Sequence, residues 1–573
     1  MKLPSLLLFS TLIVHIITPK PKIETPVNTI NRPLFHFTPP HGWMNDPNGL
    51  WYDATENVKK WHLYYQYNPN GTVWDLPLYW GHATSTDLIT WVHEDIAVAP
   101  PEEKSGAYSG SAVVDTDNTS GFFAASTLPS TQRVIAIWTF NAADWYESQY
   151  ISYSFDAGTK FKHYRMNPVI SMGSKQFRDP QVIWYKKSSY WVMSVAKSHQ
   201  YKIQFYSSKN LKNWKPIGSF ALYGFLGYQY ECPNLARMKY EGSQSPWKDN
   251  VEKEDDKNYL WVLFISINPG SMQGGSSTEY FIGNFDGSDF TPIKNYAAPI
   301  DYGKDFYALQ LFFNSPDEGD IYGVAWASNW QYCGTVPTDN WRSSMSLIRK
   351  LSIDDFESAK NTKIAFIKSV PITEMNNGKL RYGANEYTFD TKDESVKLNA
   401  FYPSYTLDIS DQVNGALEFT CEFTVYGDTW TKENPAHFYL DFKGYAIPEE
   451  YLRLGFEAEA GAFFIDRGRT NVQWVHDNPY FTDKLSVNIQ PVDPSANNKT
   501  FKVHGFIDRN IVELYFNDGF QTSTNTFFMT GGNFIGSVDI KLNKIAYNNS
   551  GNEYYKPFDI KLNVKQILGT DSS

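Results

Sequence analysis

Residues 178–214 read RDPQVIWYKKSSYWVMSVAKSHQYKIQFYSSKNLKNW, which divides into three strand-like runs separated by polar turns. The first run starts with polar residues, the second is strongly apolar and aromatic, and the third ends in a turn that leads to Trp214. Branched and aromatic residues between turn residues are typical of β-strands. The stretch therefore predicts a small sheet of short antiparallel strands.

The same unit recurs along the first two thirds of the 573-residue chain. Its apolar second strand is found five times, at residues 61–65, 134–138, 190–194, 260–264 and 322–326. Four copies continue into a strand with a polar turn, and in the fifth we assign the degenerate segment Ser343–Leu347 to this strand. Copies lie roughly 65 residues apart, and all-β units repeated in this way form the blades of a propeller.

A different pattern follows after about residue 365. Residues 374–387 are polar and rich in Gly and Asn, which indicates a linker, and many short strands separated by turns come after it. Such a series is typical of a β-sandwich. We therefore predict an all-β fold, a five-bladed β-propeller followed by a C-terminal β-sandwich. The predicted segments are a propeller at 31–365, a linker at 366–390 and a sandwich at 391–573.

The N-terminus has the features of a secretory signal. Met1 and Lys2 precede an apolar stretch from Leu3 to Ile17, and prolines follow at positions 19 and 21. This pattern predicts a signal peptide at about residues 1–20. We therefore expect a secreted protein, in which the sequons mark candidate sites of N-glycosylation. These sequons lie at Asn70, Asn118, Asn498 and Asn548.

Composition excludes several classes of partner. The formal net charge is -11 and no basic face is visible, which argues against nucleic acid. No stretch after the N-terminus approaches the length of a membrane span. The three cysteines and 11 histidines lack the spacing of metal ligands, so we expect no metal site. Aromatic residues make up 17% of the chain, which suits strand packing and stacking on sugar rings equally well.

Three carboxylates occupy the polar starts of strands in different copies of the repeat. They are Asp46, Asp179 and Glu231. Since the first strand of a blade lines the propeller axis, we expect all three side chains at one axial mouth. Taken singly, Asp46 also fits a turn, and Asp179 also fits a salt bridge with Arg178. Paired carboxyl groups are the machinery with which many enzymes cleave glycosidic bonds.

Motifs around these carboxylates resemble those of glycoside hydrolase family 32. They are Trp43–Gly49, Phe177–Pro180 and Tyr230–Pro233, and the similarity extends from about Asn31 to near the C-terminus. The resemblance implies a β-fructofuranosidase of the invertase type, which releases terminal fructosyl units from sucrose and short fructans without a cofactor. It also implies a retaining mechanism with Asp46 as nucleophile, Glu231 as acid/base and Asp179 as transition-state stabiliser. By the same resemblance the fructosyl pocket is formed by Asn45, Gln66, Trp74, Tyr108, Ser109, Arg178 and Trp326.

Alternatives stay open on the leaving-group side of this site. Tyr108, Phe306 and Asn234 depart from the residues usual in the family, and Asp75 follows Trp74 in an atypical segment. A fructosyltransferase that makes fructo-oligosaccharides is therefore an alternative, and a non-catalytic fructan-binding protein is a second one. Homo-oligomers through edge strands of the sandwich also fit the sequence.

Overall fold

The computed structural model describes most of the chain after residue 30. The described residues are 31–242, 250–254, 256–317, 319–375, 379–396, 404–427, 436–542, 546–547, 554–555 and 557–570. The predicted signal peptide at residues 1–20 and the sequon at Asn548 lie outside them. No helix in the described part is long and apolar enough to cross a membrane.

Five sheets form the blades of a propeller. The first blade contains β1 (Gly42–Asp53), β2 (Lys60–Asn68), β3 (Tyr79–Ser85) and β4 (Val92–Val98). The second contains β5 (Gly106–Val114), β6 (Val134–Asn141) and β7 (Glu147–Tyr153), with β8 (Lys162–His163) and β9 (Ile170–Ser174) both paired to β7. The third contains β10 (Arg178–Tyr185), β11 (Tyr190–Lys197), β12 (Lys202–Ser208) and β13 (Lys215–Ala221).

The fourth and fifth blades are less regular. The fourth contains β14 (Tyr230–Lys239), β15 (Glu252–Glu254), β16 (Lys257–Ile267), β17 (Ser277–Phe285), β18 (Phe290–Pro292) and β19 (Ala298–Pro299). The fifth contains β20 (Tyr307–Leu311), β21 (Ile321–Trp326), β23 (Arg349–Ala359) and β24 (Thr362–Pro371). The two-residue strand β22 (Trp341–Arg342) pairs in parallel with β1 and joins the last blade to the first.

The first strands of the blades line the axis, as the repeat predicts. Strands β1, β5, β10, β14 and β20 pack side by side in a ring, and every residue of β1 is buried. The segment Ser343–Leu347 lies antiparallel beside the end of β21: Met345 forms an isolated bridge with Trp326, and Ser346 N–H donates to the carbonyl of Ala325 at 2.9 Å. The segment is not a regular strand, and the start of β21 pairs with β23, which begins two residues after it.

The sandwich consists of two stacked six-stranded sheets. Its strands are β25 (Leu380–Asp390), β26 (Ser404–Asp408), β27 (Ala416–Val425), β28 (His437–Gly444), β29 (Tyr451–Glu457), β30 (Ala462–Asp466), β31 (Lys484–Asn488), β32 (Lys499–Asp508), β33 (Ile511–Phe516), β34 (Gln521–Thr526), β35 (Ile535–Leu542) and β38 (Phe558–Thr570). One sheet has the order β25-β38-β27-β32-β33-β34 and the other β26-β35-β28-β29-β30-β31. Alternate apolar side chains of both sheets fill the space between them, as sandwich packing requires.

Few other elements are present among the described residues. A small ribbon pairs β36 (Ala546–Tyr547) with β37 (Tyr554–Tyr555). The α-helices are α1 (Ile372–Met375) and α2 (Val472–Asp477). Single 3₁₀ turns lie at Ser130–Gln132, Lys186–Ser188, Ser198–Gln200, Ser410–Gln412 and Asn517–Gly519.

Much of the segment predicted as a linker is strand. Strand β24 continues to Pro371 as the outer strand of the fifth blade, and β25 pairs with β38 from Leu380 onward. The linker prediction is therefore wrong for residues 366–371 and 380–390. Strand β25 is polar because it lies at the edge of its sheet and exposes many of its side chains, so its sequence does not carry the apolar signal of a buried strand.

Candidate active site

Every inner strand of the propeller is interrupted near its start. The regular antiparallel register breaks between Met44 and Pro47, Tyr108 and Gly110, Arg178 and Gln181, Glu231 and Asn234, and Tyr307 and Gln310. A bulge of this kind bends a strand and re-aims its side chains. Asp46, Ser109, Asp179 and Cys232 all lie inside these breaks. The repeated irregularity therefore gathers their side chains at one end of the axis.

Backbone strain is concentrated at the same positions. Asp179, Cys232 and Ala308 adopt left-handed conformations, with φ of 64°, 48° and 55°. Residues other than glycine rarely occupy this region, because the β-carbon crowds the backbone. Strained residues of this kind persist where the surrounding structure fixes them, and they cluster at functional sites.

Asp46 is buried and held by neutral donors. Its Oδ1 accepts a hydrogen bond from Asn45 Nδ2 at 3.1 Å, and its Oδ2 accepts one from Ser109 Oγ at 2.8 Å. Asn45 is fixed in turn by Trp43, whose Nε1 donates to Asn45 Oδ1 at 2.8 Å. Burial raises the pKa of Asp46 to about 6, the charge of Glu231 adds to the rise, and these hydrogen bonds oppose it. The group is therefore mainly ionised at neutral pH.

Asp179 lies next to Asp46 and shares a neighbour with it. The thiol of Cys232 is 3.6 Å from Asp46 Oδ2 and 3.6 Å from Asp179 Oδ2. The backbone N–H of Cys232 also donates to Asp179 Oδ2 at 2.9 Å. Burial, followed by the charge of Glu231, raises the pKa of Asp179. Burial and the neighbouring carboxylates raise the pKa of the Cys232 thiol as well, which keeps it neutral.

Glu231 has different partners from the two aspartates. Arg178 Nε donates to its Oε1 at 2.9 Å, and the hydroxyl of Tyr307 donates to its Oε2. Each carboxylate oxygen is thus held by a separate donor on a neighbouring inner strand. The orientation of this carboxyl group relative to the axis is therefore fixed before any ligand binds.

Arg178 is the centre of a network around Glu231. Its Nη1 contacts both carboxylate oxygens of Glu147, at 3.0 and 3.1 Å, and the side-chain oxygen of Gln176 at 3.0 Å. Its Nη2 donates to the side-chain oxygen of Gln229 at 3.0 Å. Burial lowers the pKa of the guanidinium, but the charges of Glu231 and Glu147 outweigh it and the net shift is upward. The salt bridge weighed for Arg178 and Asp179 is formed with Glu147 and Glu231 instead.

The contacts of three other predicted pocket residues are as follows. Gln66 is buried and its Nε2 donates to the carbonyl of Ala107 at 2.9 Å. Trp326 is fully buried, with its ring centroid 6.3 Å from that of Tyr307. Trp74 packs against the apolar cluster that contains Tyr307 and Trp326. Its ring meets that of Tyr108 edge to face, with centroids 6.1 Å apart.

Four further residues belong to this arrangement and were not singled out from sequence. They are Glu147, Gln229, Cys232 and Tyr307. Glu147 starts a strand in which a buried carboxylate is costly without a partner, and this signal could have found it. The aromatic pair Phe306-Tyr307 was interpreted as a departure at Phe306, but the phenol that contacts Glu231 belongs to Tyr307.

The predicted glycosylation sites differ in exposure. Asn70 and Asn498 are exposed, whereas Asn118 is half-buried and its side-chain oxygen accepts a hydrogen bond from the N–H of Phe123 at 2.9 Å.

Cys232, Cys333 and Cys421 are buried and are not joined by a disulfide.

Sequence comparison assigns the two parts of the chain to one family. Residues 36–364 match the model of the glycosyl hydrolases family 32 N-terminal domain, and residues 379–563 match the family 32 C-terminal model. The chain belongs to glycosyl hydrolase family 32. The resemblance predicted from the motifs and the all-β propeller-and-sandwich fold are therefore both confirmed.

Relatives in family 32 are similar over nearly the whole chain. Invertase 2 of Saccharomyces cerevisiae is 50% identical over 516 residues, which cover 89% of this chain and 92% of the relative. An extracellular exo-inulinase of Meyerozyma guilliermondii is 41% identical over the same share of both proteins. Among solved structures, a β-fructofuranosidase from Schwanniomyces occidentalis in complex with fructosyl-erythritol has a TM-score of 0.82 and 38% identity, and it covers 94% of this chain and 98% of its own.

Proposed function

We propose that this family 32 enzyme is a retaining β-fructofuranosidase that hydrolyses sucrose, with Asp46 as the nucleophile and Glu231 as the acid/base. The observation that carries this assignment of roles is the pair of carboxyl groups held at one end of the axis by different donors. Asp46 accepts hydrogen bonds from neutral groups, whereas Glu231 accepts them from Arg178 and Tyr307. Two oriented carboxyl groups are what retaining hydrolysis needs.

In the first step Asp46 attacks the anomeric carbon of the fructosyl unit. The bond from that carbon to the bridging oxygen breaks, and Glu231 gives its proton to this oxygen, so that glucose leaves as a neutral molecule. The fructosyl unit is then bonded to Asp46. Asp179 accepts hydrogen bonds from fructose hydroxyls and stabilises the positive charge that develops on the sugar ring.

In the second step water replaces Asp46. Glu231, now ionised, takes a proton from the water while its oxygen attacks the same carbon. The bond to Asp46 breaks and β-fructose is released with its original configuration. Arg178 stabilises the ionised form of Glu231 that this step requires, because its guanidinium stays charged throughout.

Residues around the carboxylates form the fructosyl pocket in this proposal. Polar contacts come from Asn45, Gln66, Ser109 and Arg178, and aromatic walls come from Trp74, Tyr108 and Trp326. Trp326 Nε1 has no hydrogen-bond partner in the described part of the chain. In this proposal it donates a hydrogen bond to a sugar hydroxyl. A small neutral sugar is the substrate class, and the acidic net charge of -11 does not oppose it.

Two variants separate the proposed roles. Asp46→Ala should lower kcat on sucrose by at least about 10⁴-fold, because no covalent intermediate can form. Glu231→Ala should also be severely impaired on sucrose, but on a fructoside whose activated leaving group needs no acid, sodium azide should restore turnover and yield a fructosyl azide of retained configuration. Release of glucose and fructose is followed by chromatography, and the azide product by nuclear magnetic resonance.

The results that would overturn the assignment are distinct. Undiminished turnover by Asp46→Ala would remove that residue as nucleophile. A fructosyl azide of retained configuration from the Asp46 variant instead of the Glu231 variant would exchange their roles. A matched control is Asp95→Ala, a half-exposed carboxylate in β4 whose side chain is 4.0 Å from Lys160, which should keep wild-type activity.

Secretion is part of the same proposal. The apolar N-terminus and the extracellular exo-inulinase among the relatives support export of the protein. Exposed Asn70 and Asn498 are then the favoured glycan acceptors. Mass spectrometry of the protein from the culture medium, with and without glycosidase treatment, tests both points.

A further inference from the structure

The hairpin between β6 and β7 places a tryptophan where glycine or asparagine is usual. Ala142 N–H donates to the carbonyl of Tyr146 at 3.0 Å, and Trp145 N–H donates to the carbonyl of Ala142 at 2.8 Å. In such a three-residue loop a turn is followed by one residue in the left-handed region. Trp145 occupies that position with φ of 69°. A bulky side chain is unfavourable there, so the needs of the hairpin do not explain this residue.

Trp145 lies at the edge of the active site. Its ring is nearly parallel to that of Trp74, with an interplanar angle of 21° and centroids 6.3 Å apart. Trp74 in turn contacts Tyr108 and packs on the apolar cluster that contains Cys232 and Tyr307. Trp145 therefore extends the aromatic wall of the pocket by one ring, away from the carboxylates.

Much of the Trp145 ring faces solvent, and its backbone lies close to the site. Trp145 is 48% exposed, an unusual exposure for a side chain that is mainly apolar. It stands two residues before Glu147, whose carboxylate binds Arg178 at 3.0 Å. The turn is thus anchored to the network that orients Glu231. An exposed indole on this turn offers a flat apolar face to a ligand.

We propose that Trp145 determines specificity for the leaving group by stacking on one of its sugar rings. This inference rests on the proposed function of the site. Trp145 lies one ring further out than Trp74, which borders the fructosyl unit, and half of its surface faces solvent. The proposal therefore places its partner in the leaving group, beyond the unit directly attached to the cleaved bond. The apolar face of an uncharged sugar matches the flat indole surface. Trp145 thus favours substrates with leaving groups of two or more sugars over sucrose.

A comparison of sucrose with nystose tests the proposal, since nystose has a leaving group of three sugars. Trp145→Asn should lower kcat/KM on nystose roughly three- to tenfold and change that on sucrose less than about twofold, in line with single aromatic contacts. Trp145→Phe keeps a flat ring and should retain most of the preference. Tyr146→Ala is the matched control, because Tyr146 is exposed on the same turn but lies under Lys175.

Thermal unfolding separates this role from a structural one. Since asparagine accepts the left-handed conformation readily, Trp145→Asn should unfold at or above the wild-type temperature while it loses the preference. An unchanged ratio of kcat/KM between nystose and sucrose, or the same loss in Tyr146→Ala, would overturn the proposal.

Binding distinguishes this inference from the function on which it rests. Calorimetric titration of nystose into Asp46→Asn and into Asp46→Asn/Trp145→Asn measures how much Trp145 contributes to nystose affinity in the absence of turnover. Weaker binding to the double variant supports the role of Trp145, and equal binding rejects it. Failure of the wild-type enzyme to cleave either sugar would reject the proposed function alone.

Discussion

Asp46 and Glu231 are chemically similar residues whose surroundings differ. Asp46 receives hydrogen bonds from the neutral groups of Asn45 and Ser109, whereas Glu231 faces the permanent cation of Arg178. The two carboxyl groups are thus distinguished by their hydrogen-bond partners and not by residue type.

The Tyr307 hydroxyl is expected to matter for the acid/base. Tyr307→Phe removes the donor to one oxygen of Glu231 while it keeps the ring that packs beside Trp326. A hydrogen bond to a charged group contributes about 1.5–3 kcal/mol, so kcat/KM on sucrose should fall roughly ten- to hundredfold. Steady-state kinetics measure this, with Tyr302→Phe as the control. A change smaller than about twofold would mean that Arg178 alone orients the carboxyl group.

Asp46 also makes the folded protein less stable at neutral pH. Its pKa rises from 3.8 in the unfolded chain to about 6 in the folded protein. The folded state therefore holds the proton more tightly, and stability falls as the pH rises from about 4 through 6. The full cost, about 2–3 kcal/mol, is present above pH 6.

Asp46→Asn should remove this cost together with the activity. We expect the variant to unfold at a higher temperature than the wild type at pH 7.5, and the difference to vanish near pH 4. Calorimetric scans at the two pH values measure it. A variant that is equally destabilised at both would show that the contacts to Asn45 and Ser109 outweigh the buried charge.

At the scale of strands and blades, the bulge repeated near the start of each inner strand brings the site residues together. Regular strands would alternate their side chains between two faces, and Asp179 and Cys232 could not both turn toward Asp46. The left-handed backbone at both residues provides that turn. Each blade contributes one such bulge, so the site is assembled from five similar local distortions.

The sequence predicts the strands of this arrangement but not its distortions. The apolar runs at 61–65, 134–138, 190–194, 260–264 and 322–326 all lie in second strands of blades. Neither Cys232 nor Tyr307 was predicted to contact the carboxylates, because bulge position and side-chain direction depend on the neighbouring blades. Strand β25 was missed for a related reason, since its edge position leaves it polar.

The pairing of β2 with β3 contains a buried pair of histidines that should make the first blade sensitive to acid. His62 Nδ1 and His82 Nε2 are 3.0 Å apart, and both rings are stacked with Tyr64. Burial lowers the pKa of His82 to about 3, and the charge of Lys60 adds to this. The pKa of His62 is lowered too, chiefly by burial.

Stability should therefore fall as the pH drops below 6.5. The unfolded chain binds protons on these histidines while the folded one excludes them down to about pH 3. His82 alone accounts for about 3 kcal/mol at pH 4. His82→Gln should be less stable than wild type at pH 7 but lose less on going to pH 4, as urea unfolding can measure. The control is His476→Gln, at an 83%-exposed side chain, which should lose as much stability between pH 7 and pH 4 as the wild type. If His82→Gln also lost as much as the wild type, the acid sensitivity would not come from His82.

At the scale of the whole molecule, the propeller and sandwich are joined through buried charges. Arg349 in β23 of the fifth blade donates to Asp301 Oδ2 at 2.9 Å and to Glu513 Oε2 in the sandwich at 2.8 Å. The hydroxyls of Thr522 and Thr524 accept from the same guanidinium at 3.0 and 2.7 Å. All three charged side chains are almost completely buried, so the two parts share one polar core at their contact.

Replacement of this arginine should destabilise both parts together. Arg349→Met keeps much of the volume but leaves Asp301 buried without its cation and Glu513 with His36 as its remaining ion-pair partner, which costs about 3–5 kcal/mol. Because Glu513 lies in the sandwich and Arg349 in the propeller, we expect one calorimetric transition at a lower temperature. Lys160→Met, which removes an exposed pair with Asp95, should change stability by less than about 1 kcal/mol. If Arg349→Met instead lowered the unfolding temperature of one part only, the contact would be a local feature of that part, and the shared polar core would not couple the two.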